Sequence, residues 1–146
     1  IVNEDLKVNA ETYKVTCLSI GNPHCVIPLD EISKDRACEL GPLVENDPIF
    51  PNRINVQLLK IIDRNNIRIE IWERGAGYTM ASGSSSCAAA SAAYRLGYTD
   101  SKVHVHMPGG TIDIEIETDF NVLMTGSVAS VAKGTFTEEF KNGMNF

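Results

Sequence analysis

The chain has 146 residues, 43% of them hydrophobic and 22% charged, with a formal net charge of −6. This composition supports a buried core and excludes a disordered polyelectrolyte. The acidic balance argues against a general nucleic-acid or anionic-membrane surface, so neither partner is expected. No apolar run approaches the roughly 20 residues that cross a bilayer. The opening Ile1-Val2-Asn3-Glu4-Asp5 lacks the basic-then-apolar layout of a secretory leader and has no initiating Met. The expectation is one cytoplasmic domain over 1–146, cut from a longer protein.

Four cysteines, Cys17, Cys25, Cys38 and Cys87, match no paired metal-ligand spacing. A core of this size needs no disulfide staples, so free, buried thiols are expected. His24 stands apart from His104 and His106, and the latter two share one strand face, where a partial metal site stays open. No metal and no cofactor are otherwise expected.

In chain order, residues 13–20 and 24–29 read as strands interrupted by Gly21-Asn22-Pro23. A helix is expected over 33–40, capped by Ser33 and stopped by Gly41-Pro42. Strand 54–62 turns at Asp63-Arg64-Asn65-Asn66 into 67–72. There Ile67, Ile69 and Ile71 alternate with Arg68, Glu70 and Trp72, as in a half-buried hairpin. A second helix runs from about Ser84 to Leu96 and stops at Gly97. Strands 103–107 and 111–117 flank Pro108-Gly109-Gly110, and 122–125 and a last strand near 128–136 follow. Hairpins this closely spaced imply a largely antiparallel sheet.

The second helix is small-residued on every side, from Ser84 through Ala93. A surface helix would show one apolar stripe and a charged back. Small residues all round suit a helix enclosed by other elements. The fold class expected is therefore α+β, a mainly antiparallel curved sheet wrapped around a central small-residue helix.

Glu73-Arg74-Gly75-Ala76-Gly77 closes one strand, and Ser82-Gly83-Ser84 opens this helix. A helix start offers backbone N–H groups without internal partners and a partial positive charge, a ready carboxylate site. Arg74 or an Asn side chain would add specificity. The bland alternative is a tight turn and a cap, with Glu73 and Arg74 paired on the surface.

The stretch from Glu73 to Ala90, ERGAGYTMASGSSSCAAA, resembles the ERGxGET-x-ACGTGACA stretch of diaminopimelate epimerases. Gly21-Asn22-Pro23-His24-Cys25-Val26 is similar to the family's GNPHCV motif, and Phe50-Pro51-Asn52-Arg53-Ile54-Asn55-Val56 to its FPxRxNV motif. Met124-Thr125-Gly126-Ser127 falls where the family has a late Gly-Pro-Ala segment. The resemblance covers nearly the whole chain. It implies one of two similar domains, each a sheet around a central helix, with an amino-acid substrate held between them. It further implies two-base transfer of the α-proton without pyridoxal phosphate or metal, commonly by one cysteine from each half. The chain would be the C-terminal half, and its partner the N-terminal half of the same protein. An unpaired inter-domain face would also invite homo-oligomers. Carried over by position, the resemblance implies that Asn22 and Asn55 contact substrate. Glu73 and Arg74 would bind its amino and carboxylate groups, Glu73 also aiding proton transfer. His24 would support an acid/base residue, and Gly83 and Ser84 would offer amides to the α-carboxylate. The function implied is diaminopimelate epimerisation, LL to meso, in lysine and cell-wall biosynthesis.

The chain departs from that pattern where chemistry matters most. Ser82 occupies the position of the catalytic cysteine. A helix N-terminus turns a thiol into a usable thiolate, but an alcohol is too weak an acid for the same help to suffice. Ser82 as a neutral hydroxyl can donate a hydrogen bond or relay a proton. Tyr78 replaces a Glu and is expected to close or reshape the pocket, and Ser85 and Ser86 replace Gly and Ala. Cys87 lies more than one turn into the helix and is assigned to packing. Three functions stay open: an epimerase or racemase using Ser82; a related isomerase or dehydratase with one base from the other half; and an amino-acid-binding homologue without turnover.

Overall fold

A computed structural model describes residues 1–144. Nine strands and three helices follow in the order β1 (Glu4–Val8), β2 (Glu11–Ser19), β3 (Pro23–Pro28), α1 (Lys34–Glu45), β4 (Asn55–Asp63), β5 (Asn66–Glu73), β6 (Gly77–Thr79), α2 (Gly83–Arg95), β7 (Lys102–Met107), β8 (Gly110–Ile116), β9 (Val122–Thr125) and α3 (Glu138–Gly143). All strands join one sheet in the order β1-β2-β3-β4-β5-β7-β8-β9, with β6 paired to β5. The hairpins expected from the sequence are antiparallel. Two joints are parallel, β3 to β4 and β5 to β7. These are the places where a helix lies between consecutive strands of the sheet, as parallel pairing requires.

The sheet curves around α2, which touches β2, β3, β4, β5, β7, β8 and β9. Ser85, Ser86, Cys87, Ala88, Ala89, Ala90, Ala92 and Ala93 are all buried there. Against them pack Val26, Leu59, Ile67, Ile69 and Ile71 from the central strands. The helix ends as its Gly97 predicts. Gly97 sits at φ +75°, its N–H reaches the Tyr94 carbonyl, and the Tyr98 N–H reaches that of Ala93. This is the paired-bond stop that a left-handed residue allows.

The opposite face is also covered, which corrects the half-buried hairpin. Helix α1 packs Ala37, Leu40 and Val44 against Cys25, Ile27, Val56 and Leu58. Glu70, expected to face water, is 1% exposed. Period-2 alternation therefore separates two interiors here, not inside from outside.

Helix α1 itself runs past the expected stop, to Glu45. Gly41 is not a terminator: a Cβ there would overlap Trp72 Cβ and Cγ. Burial of Leu40, Gly41 and Val44 carries the helix through Pro42, offsetting the hydrogen bond that proline removes. Two strands were not foreseen, the edge strand β1 and the short β6. The strand expected near 128–136 does not form. Residues 126–137 are irregular and exposed, Val128 at 97% and Val131 at 95%, and among the described residues no strand pairs with them. Helix α3 follows it, capped by Thr137.

No helix among the described residues is long and apolar enough to cross a membrane. The four cysteines are free. Among the described residues no group of three or more His, Cys, Asp or Glu is placed to hold a metal. His104 pairs with Asp113 and His106 with Asn66.

Candidate functional site

The parallel register sets His24 beside Asn55, and the antiparallel register sets Val56 beside Trp72. The starts of β3 and β4 and the end of β5 therefore share one end of the sheet. There the Asn22-Pro23 turn, Asn55 and Glu73-Arg74 meet. The first turn of α2 reaches the same region, since Gln57 of β4 donates from Nε2 to Ser85 Oγ at 3.1 Å. Three motifs far apart in sequence are thus brought together by topology.

Ser82 is the N-cap of α2, with extended backbone. Its Oγ accepts the Ser85 N–H at 3.4 Å and lies 3.5 Å from Ser84 Oγ. The amides of Gly83 and Ser84 follow it with no partner inside the helix, as the geometry of any helix start demands. Met124 of β9 lies over Gly83, where a Cβ would come 2.9 Å from its sulfur. The absence of a side chain at residue 83 is what lets the Met124 sulfur approach the backbone here.

Asn55 is buried and fully engaged. Its Nδ2 donates to the Pro23 carbonyl at 2.8 Å, and its Oδ1 accepts the Arg74 N–H at 3.0 Å. It fastens two of the turns to each other. Arg74 is exposed, and its Nη1 donates to the Asn52 carbonyl at 3.1 Å. The surface ion pair between Glu73 and Arg74 does not form among the described residues. Glu73 is half-buried, and its charge reaches His24.

His24 is fully buried, with Nε2 3.0 Å from Asn22 Oδ1. Burial pushes the imidazole below its ordinary range, and the Arg74 charge adds to this; Gln57 and the Glu73 charge act in the opposite sense.

Sequence reasoning missed Glu45. This buried carboxylate accepts from Trp72 Nε1 at 2.7 Å, the Gly75 N–H at 2.9 Å and Arg53 Nη1 at 3.0 Å. It anchors the Gly75 turn, whose φ of +78° glycine adopts without steric cost. The available signal was a lone acid on the apolar face of a helix. Gln57 was missed too, though it is a polar residue inside an apolar strand.

Tyr78 does not close the pocket. It faces α1, beside Trp72, and its hydroxyl donates to Glu70 Oε2 at 2.7 Å. Burial first, then that bond, pushes the phenol up to about 12. Cys87 lies in the core and burial raises its thiol, in keeping with packing. Clefts of about 470 and 450 Å³ lie elsewhere, one around Leu59 and Tyr98 and one around Thr16 and Phe120. The candidate residues line neither, and lie at the open end of the sheet.

A sequence model of the family described as "Diaminopimelate epimerase" matches residues 16–131. The chain belongs to the diaminopimelate epimerase family. It is 51% identical over 139 residues to "Diaminopimelate epimerase 2" of Nostoc sp., covering 95% of the chain and 49% of that relative. With the diaminopimelate epimerase of Moorella thermoacetica it shares 42% over 137 residues, covering 93% of the chain and 49% of the relative. The chain spans about half the length of the curated relatives it matches. Among solved structures it resembles a phenazine biosynthesis protein of the PhzF family from Enterococcus faecalis. The TM-score is 0.53 at 12% identity, over 73% of this chain and 40% of that one. A PhzF-family protein from Bacillus anthracis gives 0.52 at 12% identity, over 77% and 38%. These structures share the fold with the diaminopimelate epimerase family chain; the activity at family level is that of an isomerase.

Proposed function

We propose that the chain forms the C-terminal half of an amino-acid epimerase that acts on diaminopimelate, inverting one stereocentre without pyridoxal phosphate or metal. The observation that carries this reading is the convergence of Asn22, Asn55, Glu73, Arg74 and the α2 N-terminus at one open end of the sheet. An α-carboxylate would lie against the amides of Gly83 and Ser84, with Arg74 adding charge. Glu73 would receive the substrate ammonium. His24 would support an acid/base residue of the N-terminal half, on the opposite face of the α-carbon. Asn55, whose side chain is already engaged, would act by fixing the turns that hold Pro23 and Arg74. The protein would work in the cytoplasm, in the supply of lysine and cell-wall precursors.

Ser82 favours a second reading. Its hydroxyl caps the helix and is no match for a thiolate as a base. An amino-acid-binding homologue, or an isomerase or dehydratase that draws its base from the other half, would keep the carboxylate site and need no thiol here.

The test is α-proton exchange in deuterium oxide with LL-diaminopimelate and the full-length protein. Deuterium entering the α-carbon with inversion supports the epimerase, and Ser82→Cys is expected to raise that rate. Absence of deuterium in both forms overturns it. Substrate binding that weakens on Arg74→Ala without exchange establishes the binding homologue, and a dehydrated or rearranged product establishes the other isomerase. The isolated half is expected to be inactive.

A further inference from the structure

Behind the first turn of α2, two buried polar atoms on neighbouring strands lack hydrogen-bond partners among the described residues, His24 Nδ1 and Gln57 Oε1, and Gln57 is close enough to act on the imidazole. His24 and Gln57 are both 0% exposed. They stand on the α2 side of adjacent parallel strands, two positions out of register, since His24 lies beside Asn55 and Val26 beside Gln57. Each ring and amide is held at its other end. His24 Nε2 lies 3.0 Å from Asn22 Oδ1, and Gln57 Nε2 donates to Ser85 Oγ at 3.1 Å. Leaving a buried polar group unpaired is costly, so two on neighbouring strands call for an explanation.

The donor inventory supplies it. Asn22 presents an acceptor, so Nε2 of the ring carries a proton in either charge state. Neutral His24 therefore turns a bare Nδ1 lone pair toward Gln57 and needs a donor. Protonated His24 turns an N–H toward Gln57 and needs an acceptor. A carboxamide offers both from ends of nearly equal shape, and a serine hydroxyl donates or accepts as its neighbour requires. With nitrogen toward Ser85, the Gln57 oxygen serves the protonated ring. Rotated by half a turn, the nitrogen serves the neutral ring and the oxygen accepts from Ser85. Each arrangement pairs the carboxamide with Nδ1 of the ring and keeps it bonded to Ser85.

We propose that Gln57 is a positioning residue for His24, a carboxamide rotor braced on Ser85 that turns over as the imidazole gains or loses its proton. The side-chain string runs Ser85, Gln57, His24, Asn22, and the Ser85 backbone N–H ties it to the Ser82 cap. It lets a fully enclosed histidine change charge without leaving an unpaired group in either state. The residues that face the ring from the packed elements are Leu18 of β2, Asn55 and Gln57 of β4 and the first turn of α2, none of them charged. The charges that reach it are Glu73 and Arg74 after β5. The inference holds whatever substrate the protein takes.

The measurement is nuclear magnetic resonance of the full-length protein labelled with ¹⁵N in histidine and glutamine, titrated from pH 8 downward. The His24 signals are identified by their loss in His24→Gln. The Gln57 side-chain amide signals are expected to shift with the same midpoint as His24. Gln57→Glu, a fixed acceptor, is expected to raise that midpoint by about one pH unit or more, and Gln57→Met to lower it by a similar amount. Ser85→Thr should preserve the wild-type curve, and Ser85→Ala should displace it. Gln57 signals that stay flat across the His24 transition of the wild-type protein overturn the proposal. A His24 midpoint indifferent to both Gln57 substitutions overturns it as well, as does a ring neutral to the acid-unfolding limit in both wild type and Gln57→Glu. Lack of α-proton exchange would refute the epimerase assignment and leave these titrations unaffected.

Discussion

The side-chain oxygen of Asn55 accepts the backbone N–H of Arg74 at 3.0 Å. Through its amide nitrogen the same side chain holds the Pro23 carbonyl, so one residue sets the separation of the two turns that frame the site. Asn55→Ala removes both bonds and leaves two part-buried backbone groups without their partner. A loss of about 2–4 kcal/mol in unfolding free energy is expected, read from urea denaturation. The Arg74 amide should also exchange faster with solvent, which separates loosening of the turn from a general loss of stability.

Glu45 gives a second prediction. Burial alone would raise its carboxyl, but the bonds from Trp72 and Gly75 and the Arg53 charge outweigh that and hold it below the ordinary range. A depressed carboxyl contributes stability that is complete above the unfolded value of about 4.3 and lost as pH falls through the folded value. Glu45→Gln should cost roughly 1–3 kcal/mol at neutral pH. It should also flatten the fall in urea midpoint below pH 5; an unchanged acid limb would remove Glu45 from this role.

His24 has the opposite charge type and the same acid sensitivity. Its folded value is depressed by burial, so the folded ring refuses a proton that the unfolded chain accepts. The contribution is complete above the unfolded value of about 6.5 and falls away as pH drops toward the folded one. Urea midpoints of wild type should therefore decline from pH 7.5 to 5.5 more steeply than those of His24→Gln. Parallel declines would contradict the assignment.

Gly41 supplies a steric prediction. A methyl group there would overlap the Trp72 side chain at its root, where rotation cannot relieve it. Gly41→Ala is expected to destabilise by about 1–3 kcal/mol despite alanine's better helix propensity. Indole fluorescence should shift with it as Trp72 moves. A stabilised variant would show that α1 yields freely at this point.

The regular elements were largely legible, and for a physical reason. Strand alternation, the Gly97 stop and the small-residue run from Ser84 to Ala93 are local signals of packing, and α2 lies where that run implies. What escaped was non-local. Pro42 reads as a terminator until Trp72 is seen on Gly41, and Glu70 reads as solvated until α1 covers it. Residues 128–136 carry a strand's pattern but find no strand partner among the described residues. Within the site, the motifs marked Asn22, His24, Asn55, Glu73, Arg74 and Ser82. Neither Glu45 nor the Gln57–Ser85 contact is legible locally, since Glu45 meets Gly75 30 positions away and Gln57 meets Ser85 28 positions away. Tyr78 was misread for the same reason: its side of the strand decides its role, and only pairing with Trp72 fixes that side.

The alanine and serine faces of α2 have a consequence for how the site responds to a ligand. Side chains this short have few or no rotamers to rearrange, and strands close around the helix on several sides. The helix cannot slide or turn without moving backbone against backbone. Its first amides are therefore fixed in space before anything binds them. Dipoles held in this way lose little on meeting an anion, because no reorganisation remains to be done at that moment. Adaptation to a bound molecule would fall instead to exposed side chains such as Arg74 and Met124.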